Sequence, residues 1–448
     1  MIKNIRKNLW FISAFTAKYK YLIITGVVLS VVLGLILTKI QKILPGLSNK
    51  DVHIGLVGQH SVTNLPIQIT QFLNAGLTTQ GKQQTTILNL AETQDIDDSD
   101  KSYTYKLKPG LTWSDGTIIK AQDINISIPK VAIETPDEQT IKFILPAKFA
   151  PFPSILNFPI TNQKGLLPSP FDIKLKQKSS GVLTQVIVNN GTYKTFFSIY
   201  PTASQALTAY KLGQIDAIVD LPLANLSSDF AGFGITNQFQ NKQKLVLLVI
   251  NHQDSSLSSK SVRQGLAYSL DLNYTQTKKA LTIINPDSWV YNPLVKEYLP
   301  NSKKAGELIS NELELELSTT PELLSVAEQI KNSITIPNLK LNIKVVSSTP
   351  ENFQLLLTTF NIPQDPDQYP FWHSTQPGNV GGSTSEKLDK LLEDGRTNLD
   401  HNTRKTTYHE FQRVFAEELP AIVLFHPQSV NLSRNQQISD IINTYWSN

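Results

Sequence analysis

Residues 103–124 read YTYKLKPGLTWSDGTIIKAQDI. The first six, YTYKLK, form a β-rich run that predicts a strand. Asp115-Gly116 is a turn pair, because Gly tolerates positive φ and Asp can bond its own backbone. Trp113 sits two residues before that turn, where a large ring packs beneath the reversal rather than against a ligand. Ala121-Gln122-Asp123-Ile124 then marks the start of a further element.

Outward from this stretch, the chain alternates β-rich runs with amphipathic segments. Strands are predicted at 52–57, 140–145, 216–221, 245–250, 339–346, 353–360 and 421–426. Helices are predicted at 204–212, with Ser204 as N-cap and Gly213 as stop; at 261–270; at 385–394, closed by Gly395; and at 404–418. Such mixing implies α/β layers rather than a sandwich or a bundle.

The charge is unevenly spread. The 448 residues carry 41 basic and 37 acidic side chains, a formal +4. Eight of the basic residues and none of the acidic ones lie in residues 1–50, which leaves 33 against 37, or −4, for the remainder. That acidic remainder removes the main support for a nucleic-acid partner. The basic residues bracket Tyr21 to Thr38, YLIITGVVLSVVLGLILT, which contains no charge. As a helix it would span about 27 Å, close to the hydrocarbon thickness of a bilayer. It is followed by Thr38-Lys39-Ile40-Gln41-Lys42, a poor cleavage site, so the expectation is an uncleaved signal anchor. More Lys and Arg precede the span than follow it, which predicts a cytoplasmic N-terminus and an extracytoplasmic body. The expected organisation is a basic cytoplasmic stub at 1–20, a transmembrane helix at 21–38 and a linker at 39–50, then the folded body.

Cysteine is absent, which excludes disulfides, thiolate metal sites, cysteine nucleophiles and a lipidated cysteine anchor. There is no phosphate-binding Gly-x-x-x-x-Gly-Lys loop, no Gly-x-Ser-x-Gly elbow and no His-Glu-x-x-His helix. The seven histidines are scattered, with no i,i+4 pair. No catalytic residue, metal ligand or cofactor site is therefore assigned.

The order of motifs resembles the extracellular solute-binding proteins of family 5, the peptide- and nickel-binding subunits of ABC importers. Leu107, Gly110, Trp113, Asp115, Gly116, Ala121, Asp123 and Ile124 match the family's opening signature. Gly213 and Asp216 match a helix–Gly–Asp–strand element. Asn251, Val262 and Arg263 match a strand followed by a Val-Arg helix, with Gly265 standing where Ala is usual. NSKKAGELI (301–309), DPDQYPFWHS (365–374) and residues 385–427 complete the series. Trp113, Asp115, Gly116, Gly213, Asp216 and Arg263 read as structural positions.

The resemblance implies an α/β, bilobal periplasmic-binding-protein (type II, Venus-flytrap) fold with two hinge strands, preceded by the transmembrane helix. Lobe I would hold 51–250 with 427–448 returning to it, and lobe II 253–424. The hinges would then be Val249, Ile250, Asn251 and His252 on one strand, and Leu424, Phe425 and His426 on the other. Implied partners are a peptide or other small solute, separate ABC permease and ATPase chains, and the membrane through the N-terminal helix.

The segment 361–373 reads as a ligand wall. Its prolines at 363, 366 and 370 stiffen it; Asn361, Gln364, Asp365 and Asp367 offer polar groups; and Tyr369, Trp372 and His373 offer rings with polar tips. The family's ammonium-binding carboxylate falls, by the same counting, at Ile362, which cannot serve. Two alternatives are open: a receptor-like scaffold or sensor that has lost its ligand, and an anchored hydrolase.

Overall fold

The computed structural model describes residues 18–20, 25, 50–61, 65–97, 99–226, 232, 234–272 and 279–446. The expected membrane anchor at 21–38 lies almost entirely outside them. No helix of the described residues is long and apolar enough to cross a membrane. The chain divides into two compact units, Met1–Asp51 with Gly191–Lys194, and Val52–Asn190 with Thr195–Asn448.

Three sheets organise the second unit. The first has seven strands in the order β12-β18-β11-β1-β10-β9-β8. These are β1 (Lys50–Val57), β8 (Asp172–Gln177), β9 (Leu183–Asn189), β10 (Tyr193–Tyr200), β11 (Ala217–Pro222), β12 (Ile235–Gln240) and β18 (Gln428–Ser433). The second is an antiparallel sheet ordered β4-β5-β7-β6, from β4 (Ala91–Ile96), β5 (Ser102–Leu107), β6 (Ala132–Glu134) and β7 (Thr140–Ile144). The third is ordered β15-β14-β16-β13-β17, from β13 (Lys244–Ile250), β14 (Leu313–Thr319), β15 (Leu339–Val345), β16 (Leu355–Asn361) and β17 (Ala421–Phe425). A small antiparallel ribbon, β2 (Thr78–Gln80) with β3 (Thr86–Leu88), precedes the second sheet in the chain.

The opening stretch closes the second sheet. Tyr103, Tyr105 and Leu107 of β5 are buried, and Trp113 lies among them at 2% exposure. Gly116 has φ +86°, and the Asp115 carboxylate accepts from the Thr117 N–H at 3.0 Å. The turn is therefore built as its sequence requires.

β13 is buried along Leu245–Ile250 because the third sheet is covered on both faces. One core cluster holds Val246, Leu248 and Ile250, the other Leu245, Leu247 and Val249. A strand buried on both faces reads as a continuous apolar run, as LVLLVI does. Its sheet, however, is not the one expected. β13 already belongs to the third sheet, so the chain crosses from the first at Asn241–Gln243 and returns at His426–Pro427. Val249–His252 lies at the far end of β13, and Leu424 and Phe425 are still in β17; only His426 of the expected hinge residues is at a crossing.

The crossings are tied together by side chains. The Asp220 carboxylate accepts from Asn241 Nδ2 at 2.6 Å and from Lys244 Nζ at 2.8 Å. The Asn241 N–H donates to the Pro427 carbonyl at 2.8 Å. His426 Nδ1 lies 2.8 Å from the Lys244 carbonyl, to which it donates.

Two helix details differ from the sequence reading. The helix Ala203–Lys211 is capped by Thr202, not Ser204. Gly395 lies inside the helix Glu386–Thr397 rather than ending it, because the Tyr408 ring occupies the space where a Cβ would stand, 2.7 Å from Cζ. Gly265 has a similar cause. A Cβ there would come within 2.6 Å of Ile309 Cγ1 and 3.1 Å of Leu308 Cβ, where the helices Lys260–Ser269 and Ser302–Leu308 meet. Gly265→Ala is expected to lower stability by about 1–3 kcal/mol through overpacking, read as an earlier midpoint in chemical denaturation; an unchanged midpoint would show that the helices separate freely.

Candidate ligand-binding site

The segment 361–373 leaves the third sheet at the end of β16. Asn361 is exposed there, opposite Lys244 in register. Ile362 is buried at 6% exposure. Asp365 does not face an open cleft: Arg404 grips its carboxylate with both Nη atoms, Nη1 at 3.0 Å from Oδ2 and Nη2 closer on Oδ1. Arg404 Nε donates to the Gly395 carbonyl at 2.8 Å. Arg404, near the start of the helix His401–Glu418, is thus a buried anchor. Burial alone would lower its pKa, but the Asp365 charge and hydrogen bond reverse that and leave it raised.

Asp367 is also engaged. Its Oδ2 lies 3.3 Å from Arg396 Nε, and its Oδ1 accepts from the Tyr369 N–H at 3.1 Å. Burial raises its pKa although Arg396 works in the other direction. Trp372 is 4% exposed, packs edge-on against Phe415 and donates from Nε1 to Gln368 Oε1 at 3.2 Å. His373 is buried, with Nδ1 2.9 Å from Thr375 Oγ1 and Nε2 3.4 Å from Glu393 Oε1. Tyr369 stacks on the His373 ring, centroids 4.2 Å apart.

The residue of this segment that reaches across the molecule is Gln364. Its Oε1 accepts from Asn157 Nδ2, joining the third-sheet side to the short helix Phe152–Ile155 and its exit on the other side. Around that bond Thr79, Gln80, Gln84, Thr86 and Ser154 enclose a hollow of about 10 Å³, the room of one water. Further links cross the same seam: the Trp289 N–H donates to the Gln83 carbonyl at 2.9 Å, and the Ala150 N–H to the Arg396 carbonyl at 2.8 Å.

Sequence reasoning missed the partners from the first half of the chain. The run TTQGKQQTT (78–86), polar and nearly uncharged, was the signal available for them. The remaining motif residues are structural. Arg263 donates to the carbonyls of Leu257, Ser258 and Glu418. Asp216 accepts from the His53 N–H at 2.9 Å, fixing β11 beside β1. Gly213, at φ +78°, follows the end of its helix.

The mixed α/β fold, with its three sheets, is that of periplasmic binding proteins. No family model matches the chain. It is 21% identical over 425 residues to the probable D,D-dipeptide-binding periplasmic protein DdpA of Escherichia coli, covering 79% of this chain and 81% of that one. Its fold matches the ABC transporter substrate-binding protein CtaP of Listeria monocytogenes with TM-score 0.71 and 19% identity over 86% of this chain and 94% of the other. It also matches the oligopeptide-binding protein AppA of Bacillus subtilis, solved with a nonapeptide, with TM-score 0.67 and 17% identity over 86% and 94%. These relatives are solute-binding proteins of family 5, the peptide- and nickel-binding class of ABC importers; this chain is related in sequence to the first and shares the fold of the other two. They are binding proteins, not enzymes.

Two measurements probe the site's frame. Asp365→Ala leaves the Arg404 charge buried without its partner and should cost about 3–5 kcal/mol in denaturant unfolding, part of which returns when Arg404→Leu is added. His426 has its pKa lowered from the ordinary 6.5 by burial, against its bond to the Lys244 carbonyl. Its neutral form is thus the folded one. Stability from His426 is complete above pH 6.5 and is lost as pH falls below that value, where the unfolded chain takes up the proton first. The loss of stability between pH 7 and 5 should be smaller in His426→Gln than in the parent chain; an unchanged slope would remove His426 as a contributor.

Proposed function

We propose that the chain is the membrane-anchored receptor subunit of an ABC importer that binds peptides between two lobes and delivers them to a separate permease. Residues 1–20 are the cytoplasmic stub, 21–38 the anchor and 39–50 the linker. Lobe I is built on the first two sheets and receives β18 back; lobe II is built on the third. The crossings at Asn241–Gln243 and His426–Pro427 serve as hinges.

The observation that carries this reading is the chemistry of the seam. Gln80, Gln84, Thr86, Ser154, Asn157 and Gln364 bring neutral donors and acceptors to it from both lobes. Amides and hydroxyls of this kind pair with a peptide backbone while remaining indifferent to its side chains. Asp365 is gripped by Arg404, Asp367 lies beside Arg396 and Ile362 is apolar, so recognition does not depend on capturing a peptide's α-ammonium. Opening separates Asn157 from Gln364; a ligand that bonds both restores closure by its extra affinity for the closed form. ATP hydrolysis belongs to other subunits.

Mass spectrometry of small molecules released from the full-length purified chain should recover peptides, and Gln364→Ala with Asn157→Ala should reduce their yield. Recovery of a metal chelate or a sugar instead would overturn the peptide reading. The small size of the hollow favours one second reading, a scaffold that has kept the lobes and lost the ligand. The absence of any rise in melting temperature across a peptide panel would select it.

A further inference from the structure

A space much larger than the hollow at the seam lies elsewhere. A groove of about 460 Å³ runs between the segments 128–131 and 145–155 of the second-sheet layer and the helix Glu386–Thr397, a volume typical of small-ligand sites. Ile128, Val131, Phe152 and Ile155 give it an apolar wall. Its polar end is a single guanidinium. Arg396 lies over the Phe149 ring at 5.0 Å and over the Tyr369 ring at 4.4 Å, so rings from both lobes fix its plane.

That guanidinium is under-used. Its Nε lies 3.3 Å from the Asp367 carboxylate and makes no hydrogen bond there. Among the described residues Arg396 Nη1 and Nη2 have no hydrogen-bond partner. Burial raises the Asp367 pKa, and Arg396 works in the other direction. The groove's lining also includes Lys130, exposed and without an ion pair among the described residues, and Lys148, which pairs with Asp100 at 2.7 Å. Its one acid, Glu393, is turned toward His373 Nε2 at 3.4 Å.

We propose that this groove binds an apolar carboxylate, with the hydrocarbon body against the Ile128–Ile155 wall and the carboxylate held in the fork of Arg396 Nη1 and Nη2, Lys130 adding charge at the rim. A clamped planar guanidinium is pre-organised for two parallel bonds to a carboxylate. Two sources share this chemistry, the carboxyl end of an apolar peptide and a fatty acid. In its peptide form the inference rests on the peptide-binding reading above.

Titration calorimetry on the full-length chain separates the cases with three probes: N-acetyl-trileucine with a free carboxylate, its C-terminal amide, and decanoate. The acid should bind roughly tenfold or more tightly than the amide, and Arg396→Gln should erase that difference. Arg396→Lys keeps the charge without the fork and should restore it only in part. Val131→Trp, which fills the groove, should weaken the acid peptide and decanoate alike. Binding of decanoate alone, still dependent on Arg396, would retain the groove and count against the peptide reading. Peptide binding that ignores Arg396→Gln and Val131→Trp, with both variants melting like the parent, would overturn the groove and leave the peptide reading standing. Failure of both carboxylates to bind would overturn the groove.

Discussion

The carboxylate of Asp220 is the constraint on which the passage of the chain between the first and third sheets depends. It stands at φ +53° on a bulged part of β11 and accepts from Asn241, Lys244 and Gln68, while the Asp220 N–H donates to Asn431 Oδ1 at 2.9 Å. One residue therefore links the helix Ile67–Leu73, the outgoing crossing, the first residue of the third sheet and the returning strand. The position resists substitution by geometry as well as charge, because a backbone in the left-handed region suits few side chains other than Gly, Asn and Asp.

What could be read in the sequence reflects locality. β13 and β17 were legible because a strand covered on both faces must be apolar throughout, and β5 with its turn because Trp113, Asp115 and Gly116 state a local geometry. β8, DIKLKQ, was not: it is the outer strand of its sheet and largely exposed, so no burial pattern marks it. The sheet to which LVLLVI belongs was not legible for a related reason. Apolar continuity shows that LVLLVI is a strand, but sheet membership is decided by the partners β16 and β17, more than a hundred residues away.

The site was less legible than the fold. Asp365 and Asp367 look like free acceptors in sequence, because the arginines that occupy them lie on helices elsewhere in the chain. A charge buried with its partner reads no differently from a solvated one. Arg396 was invisible for the same reason: it occurs in a run of charged residues, and its clamp exists only where Phe149 and Tyr369 converge. The polar seam thus carries neutral hydrogen-bonding groups, and the apolar groove a fixed cation.

The position of β18 has a consequence for synthesis. Gln428–Ser433 lies between β12 and β11, bonded to both. Until that segment has left the ribosome, β11 and β12 cannot be joined, and each presents an open edge to the surroundings. The third sheet needs no residue beyond Phe425 and can finish first, so the body begun earliest in translation is the last to close. The nascent chain thus spends the whole synthesis of its second body with the first one incomplete, the interval in which unpaired edges invite pairing with other chains.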